Sequence, residues 1–302
     1  MVRVVCLLFL LLSLVGCSNP AVSAPAAPAA GGEVRLWQDA GIFTLVGRLI
    51  SSARHRVLVE MYELGRDELV RAIAEAEGMR VRERAYPVDD GRHQIDHVKL
   101  LIADAEAAVG GMNWGRHSDR NHDYVLETSN APELDRLVLI FDQDWDLAGG
   151  HPSPLPQVSA PVAQTSPGGE IRAMLEHALN RAVRRVLAEV YTLTDAAVIA
   201  EMVIAHRRGV MVRVLLDPNQ VYNLHAYAVL RAGGVEVRWY PVPKGVLLHA
   251  KIGLFDAELV VGSANWTLSG LGVNHELDIE TDDAVAVRAY VTRFGGDWAR
   301  SA

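Results

Sequence analysis

His97-Val98-Lys99-Leu100-Leu101-Ile102-Ala103-Asp104 and His249-Ala250-Lys251-Ile252-Gly253-Leu254-Phe255-Asp256 repeat one pattern within a single chain. Each begins with His-x-Lys, runs through apolar residues and ends on Asp. Short apolar runs that close on a turn residue predict strands, here over Val98–Ala103 and Ile252–Phe255. Side chains at i and i+2 share a face of a strand, so His97 and Lys99 project together, as do His249 and Lys251. Asp104 and Asp256 have the opposite parity and stand at the turn, which suits a structural partner better than a reactant.

Further blocks match on either side of these two. Glu60-Met61-Tyr62 parallels Glu189-Val190-Tyr191, and Gly110-Gly111-Met112-Asn113-Trp114 parallels Gly262-Ser263-Ala264-Asn265-Trp266. Asn121-His122-Asp123 parallels Asn274-His275-Glu276, and Phe141-x-x-Asp144-Trp145 parallels Phe294-x-x-Asp297-Trp298. The His-to-Asn spacing is 16 residues in both copies. Five ordered blocks with nearly constant gaps are a duplication. The expected halves are residues 33–148 and 171–302, joined by a Pro-, Gly- and Ser-rich linker over 149–170. The first half passes from Glu77-Gly78 almost directly to Tyr86-Pro87, so it lacks about two dozen residues that the second half spends on Arg207–Gly234. That omission removes one strand and one helix. Strands alternating with helices (Glu68–Glu77, Ala196–Arg208) predict an α/β layered fold in each half.

The 302 residues carry 29 Lys plus Arg against 37 Asp plus Glu, a net charge of −8, which opposes gripping nucleic acid by bulk electrostatics. Lys occurs only at 99, 244 and 251, so two of the three sit in the repeated pattern. Both Cys, Cys6 and Cys17, precede the repeats, which excludes a thiolate nucleophile or a Cys-ligated metal from them. The remaining His residues show no metal-ligand spacing, and neither a metal nor a cofactor is expected.

Each half thus supplies an imidazole, an ammonium and, through Asn113 or Asn265, an amide. Two such sets facing one another make a cavity for an anion, and a phosphodiester fits it best. One His attacks phosphorus while the other protonates the leaving oxygen. Lys99, Lys251, Asn113 and Asn265 stabilise the charge on the non-bridging oxygens. Asp123 and Glu276, 26 and 27 residues after the His of their own half, are the candidates to hold its far ring nitrogen. Glu60 and Glu189 are expected as buried ionic partners of a Lys or Arg, and His122 and His275 as loop supports. Trp114 and Trp266 fit either the core or an apolar lip at the rim.

HxKxxxxD, then GSxN, then NxE, present twice over residues 33–302, resembles the phospholipase D superfamily. The resemblance implies two α/β/α layered halves related by pseudo-twofold symmetry, with the active site at their interface. It implies a metal-independent phosphodiesterase or phosphatidyltransferase working through a phosphohistidine. It also favours His97 as the nucleophile and His249 as the acid. The departures lie in the first half, where Gly111 stands for Ser263 and Asp123 for Glu276. Phospholipid head-group hydrolysis is the expected activity, with nucleic-acid cleavage as the alternative. One chain suffices for a complete site.

Residues 1–17, MVRVVCLLFLLLSLVGC, have the basic start, apolar run and terminal Cys of a bacterial lipoprotein signal. The expectation is cleavage before Cys17, lipidation of that Cys, and a tether over residues 18–32 holding an exported domain at the membrane.

Overall fold

The computed structural model describes residues 2–6, 33–76, 81–151, 154, 163–166 and 169–301. The first half contains strands β1 (Val2–Cys6), β2 (Val34–Gln38), β3 (Val57–Met61), β4 (Val81–Arg84), β5 (Lys99–Ala103), β6 (Glu106–Gly110) and β7 (Tyr124–Thr128). Its helices are α1 (Gly41–Ser52), α2 (Asp67–Glu75) and α3 (Ala131–Ala148). The second half contains β8 (Ala163–Ser166), β9 (Arg185–Val190), β10 (Met211–Leu216), β11 (Glu236–Trp239), β12 (Lys251–Phe255), β13 (Glu258–Gly262) and β14 (Glu276–Thr281). Its helices are α4 (Glu170–Arg181), α5 (Ala196–Arg207), α6 (Asn223–Ala232), α7 (Leu268–Gly272) and α8 (Ala284–Arg300).

The two sheets have one topology. The first runs β2-β7-β6-β5-β3-β1-β4, and the second runs β8-β14-β13-β12-β9-β10-β11. In each, a hairpin (β5–β6, β12–β13) pairs antiparallel with a central strand (β3, β9), beyond which the pairing is parallel. The central strands are apolar on both faces because both faces are covered. Leu101 and Ala103 of β5 join the core under α1 and α2, whereas Leu100 and Ile102 join a second core shared with Ile252, Leu254, Tyr290 and Phe294 of the other half. This shared core lies between the sheets. α8 packs on β2 and α3 on β8, so each closing helix reaches across the seam.

The two hairpin turns show why the repeated pattern ends on Asp. Asp104 and Asp256 adopt left-handed φ of 50° and 57°, which Asp tolerates better than bulkier residues. Asp104 accepts from the backbone N–H of Arg54, His55 and Arg56, and Asp256 from those of Val183, Arg184 and Arg185. Both therefore pin the loop entering the central strand, away from the chemistry.

Two boundaries differ from the sequence reading. Ala163–Ser166, inside the expected linker, is a strand that pairs antiparallel with β14, as β2 pairs with β7. It closes the second sheet's edge, so that half begins earlier than residue 171. Val2–Cys6, the front of the expected signal, lies parallel to β3 and β4. The missing segment of the first half leaves the position of β10 vacant, and the Val-rich N-terminus satisfies the backbone groups there. Cys17, the tether 18–32 and linker residues 155–162 lie outside the described residues. Among the described residues, no helix is long and apolar enough to cross a membrane.

Candidate active site

His97 and His249 stand two residues ahead of Lys99 and Lys251, the first residues of β5 and β12. All four are buried. The carboxylates that hold the imidazoles come from the opposite half. His97 Nδ1 donates to Glu276 Oε2 at 2.8 Å, and His249 Nδ1 donates to Asp123 Oδ2 at 2.7 Å. Sequence spacing assigned each acid to the His of its own half, and the structure exchanges them. The reason is that Asn121–Asp123 and Asn274–Glu276 dock along the segment before the other half's His. His122 N–H donates to Leu247 O and His249 N–H to His122 O; His275 N–H donates to Ile95 O and His97 N–H to His275 O, all at 2.8 Å. An ionised carboxylate only accepts, so both rings carry their proton on Nδ1 and turn the Nε2 lone pair away from the carboxylate.

Burial, the neighbouring ammonium groups and the carboxylates set the protonation states. Burial outweighs Glu276 and depresses His97; burial and Lys251 bring His249 down to about 4. Burial lowers Lys99 to about 7 and Lys251 to about 8, opposed by the two carboxylates. Lys251 depresses both His97 and Lys99, and Lys99 depresses His249, so the four groups lie within electrostatic reach of one another. Glu276 is held ionised: burial opposes this, but His97 and Lys99 prevail. At neutral pH the site thus holds two neutral imidazoles, a largely protonated Lys251 and a Lys99 close to its midpoint, and charge on the two amines is mutually repulsive. An entering anion neutralises the repulsion between them.

Lys99 Nζ donates to His97 O at 2.6 Å, and Lys251 Nζ donates to His249 O and lies 3.1 Å from His249 Nε2. Asn113 and Asn265 are half-buried just after β6 and β13, and their Oδ1 atoms have no hydrogen-bond partner. The structure thus brings together the two His–Lys pairs and the two carboxylates expected from the sequence. The two supporting sets differ. Ser263 Oγ donates to Glu276 Oε2 at 2.6 Å, and Asn274 Nδ2 donates to Oε1 at 3.0 Å. In the first half, a Cβ added to Gly111 would lie 2.4 Å from Asp123 Oδ1. The shorter acid therefore sits over the glycine in the space a side chain would fill.

The structure also corrects the flanking residues. Trp114 and Trp266 are 3% and 0% exposed, so they are core and not a rim. Among the described residues the cationic partner of Glu60 and Glu189 is an imidazole, not Lys or Arg: Glu60 lies 3.3 Å from His275 Nε2, and Glu189 3.2 Å from His122 Nε2. Sequence reasoning missed Tyr62 and Tyr191 as neighbours of the site. Their rings lie 4.8 Å from His97 and 4.7 Å from His249, with Lys99 and Lys251 Nζ each 5.1 Å from the same rings. The signal was their shared place in the repeated Glu-x-Tyr block. Two buried groups, Glu60/Asp144/His275 and His122/Glu189/Asp297, have donors close enough to hold a metal ion. In the second, Arg293 already supplies positive charge, with Nε 2.7 Å from Asp297 and Nη2 3.0 Å from His122 Nδ1.

Residues 175–298 match the family described as "Cardiolipin synthase, PLD-like domain". A mitochondrial cardiolipin hydrolase of Xenopus tropicalis is 32% identical over 147 residues, which cover 48% of this chain and 68% of that protein. The chain belongs to the phospholipase D superfamily. Cardiolipin synthase A of Pseudomonas putida (strain GB-1) is 28% identical over a match that spans 80% of this chain and 63% of the synthase. The crystal structure of a phosphatidylserine synthase from Haemophilus influenzae Rd KW20 superimposes with a TM-score of 0.70 at 11% identity, covering 88% of this chain and 86% of that one. This places both lobes, not only the second, in the phospholipase D fold, and the protein is a phosphodiesterase-type enzyme.

Proposed function

We propose that this protein hydrolyses the head-group phosphodiester of phospholipids through a phosphohistidine. The observation that supports the reading is the crossed arrangement in which each half's imidazole is held by the other half's carboxylate, with both ammonium groups within electrostatic reach of both imidazoles. His97 Nε2 attacks phosphorus as the bond to the leaving alcohol oxygen breaks, and that oxygen takes a proton from His249 Nε2, which His249 acquires from solvent when the phosphodiester binds. Water, deprotonated by His249, then attacks phosphorus and releases His97. Assigning attack to His97 rests on Glu276, whose carboxylate is kept ionised and accepts from Ser263 and Asn274 as well as from His97. His249 starts with Lys251 Nζ against its ring, 3.0 Å from Nδ1 and 3.1 Å from Nε2, and the phosphodiester draws that ammonium away as it binds. The depressed value of His249 then rises towards the range a general acid needs.

The lipid substrate is favoured by relatives named as cardiolipin hydrolase and cardiolipin synthase and by the chain's net charge of −8. A lipidated Cys17 would hold the site near head groups, and cleavage before it would also remove Val2–Cys6. The test offers the purified chain cardiolipin vesicles, phosphatidylglycerol vesicles or single-stranded DNA, each with EDTA. Release of phosphatidate or head group without DNA cleavage is the expected result. Nicking of DNA with intact lipid would replace the lipid reading with the nuclease one.

A further inference from the structure

The paired blocks Glu60/Glu189, Asp144/Asp297 and His122/His275 carry no step of the chemistry above. Yet they assemble into two sockets related by the same pseudo-twofold axis as the site. His275, from the second half, enters the first half between Glu60 (3.3 Å) and Asp144 (3.1 Å) and stacks on Tyr86 at a centroid distance of 4.1 Å. His122, from the first half, enters the second half against Glu189 (3.2 Å) and Asp297 (3.4 Å) and stacks on Tyr240 at 5.0 Å. Both imidazoles are almost fully buried. Each is the residue directly before the carboxylate that holds a catalytic imidazole, and its own backbone carbonyl accepts from that imidazole's residue.

From this we infer that His122 and His275 are positioning residues, imidazole pegs that fix Asp123 and Glu276 against the catalytic histidines of the opposite half. The inference rests on the proposed reaction only for its kinetic readout. A carboxylate one residue along a peptide follows any rotation of that peptide, so a peg anchored at its far end sets the direction of the carboxylate. Burial opposes charge on the pegs, but Asp144 and Glu60 push His275 well above its ordinary value, and Asp39 and Glu189 bring His122 to about 9.

The sockets are unequal. Arg293 reaches His122, Asp39 and Asp297 in the second socket, whereas Ile140 stands at the matching place in α3. The first socket instead gains a third buried carboxylate, Asp96, raised to about 6 chiefly by burial. His275 is therefore the more heavily used peg.

The test compares His275→Gln, His122→Gln and the isosteric Glu60→Gln in the full chain. The substrate-free readout is the low-field proton resonance of the His97 Nδ1–H bond to Glu276, first identified by its loss in His97→Asn. The kinetic readout is kcat and KM on the vesicle substrate. His275→Gln is expected to abolish or shift that resonance and to lower kcat about 100-fold with KM within about threefold, the size of effect expected from a small misalignment of reacting groups. Glu60→Gln follows in the same direction, and His122→Gln loses less because Arg293 still spans its socket. Glu60→Gln decides the matter if His275→Gln does not fold. Native resonance and kcat in a folded Glu60→Gln or His275→Gln variant would overturn the inference. So would a stoichiometric divalent ion, retained by the wild-type protein through the Glu60–Asp144–His275 group. The resonance needs no substrate, so it reports on the pegs even if the lipid reading fails.

Discussion

In the second lobe the strand between β9 and β11 is β10, which follows α5 directly; in the first lobe the strand between β3 and β4 is β1, drawn from the start of the chain. One lobe completes its sheet from contiguous sequence, and the other closes its sheet with a segment more than fifty residues from its partner strand. The sites differ in the same uneven way. The second lobe offers Ser263 and the longer acid Glu276, and the first offers Gly111 and the shorter acid Asp123. The comparison teaches that the duplication conserves the positions of the reacting groups while the supports beneath them drift.

The comparison breaks most sharply at the imidazoles. His97→Asn and His249→Asn are each expected to lower kcat by about 10⁴-fold or more, and the double variant to cost little beyond either, because the two groups act as a unit. With a substrate bearing a good leaving group, His249→Asn should accumulate labelled phosphate on His97. Label on His249 in His97→Asn would reverse the roles of the lobes. Next in size is Gly111→Ala, whose new methyl would stand 2.4 Å from Asp123 Oδ1, closer than the two atoms can approach. Turning that carboxylate from His249 should reduce kcat about 100-fold, measured at saturating substrate.

Smaller effects sharpen the picture. Positive charge in the empty site is lost as pH rises, from His249 above about 4, Lys99 above about 7 and Lys251 above about 8. The ratio kcat/KM reports the free enzyme, so it should fall about tenfold or more between pH 7 and pH 9. A rate profile rising over that interval would contradict the assignment. Deleting residues 1–6 should raise amide exchange in β3 and β4 by about tenfold while leaving β9 and β11 unchanged. Mass measurement of the N-terminus of the protein made in its own cell would show whether β1 is retained. Asp104→Ala and Asp256→Ala should each cost on the order of 1–3 kcal/mol in unfolding free energy through lost amide hydrogen bonds, with kcat changed less than about twofold.

Much of this was legible in the sequence because it is local. An apolar run after His-x-Lys dictates a strand and the Asp that ends it a turn; both hold in β5 and β12, although the strands begin at the Lys and each His stands two residues ahead. The repeat told where two α/β lobes begin to differ, and the absent segment in the first lobe matches the lack of a counterpart to α6. What could not be read was which lobe each acid serves. The gap from His97 to Asp123 and that from His249 to Glu276 are nearly equal, so spacing suggests a partner within the lobe, whereas docking exchanges them. The same blindness explains Glu60 and Glu189. A buried carboxylate calls for a cation, but the cation is an imidazole carried by the other lobe, and no local pattern records that. Ala163–Ser166 escaped notice because its polar residues in a Pro-rich surrounding resemble a connector until the free edge of β14 is known.

The exchanged carboxylates carry one more implication. An assembly of two identical subunits would have to give both imidazoles the same environment, and any change that improved one as an attacking group would alter the other equally. Covalent fusion lifts that constraint. With Glu276 and its hydroxyl partner on one side and Asp123 over a bare backbone on the other, this chain can specialise each imidazole separately. Cutting it between the lobes would leave two fragments, each holding the carboxylate that the other needs.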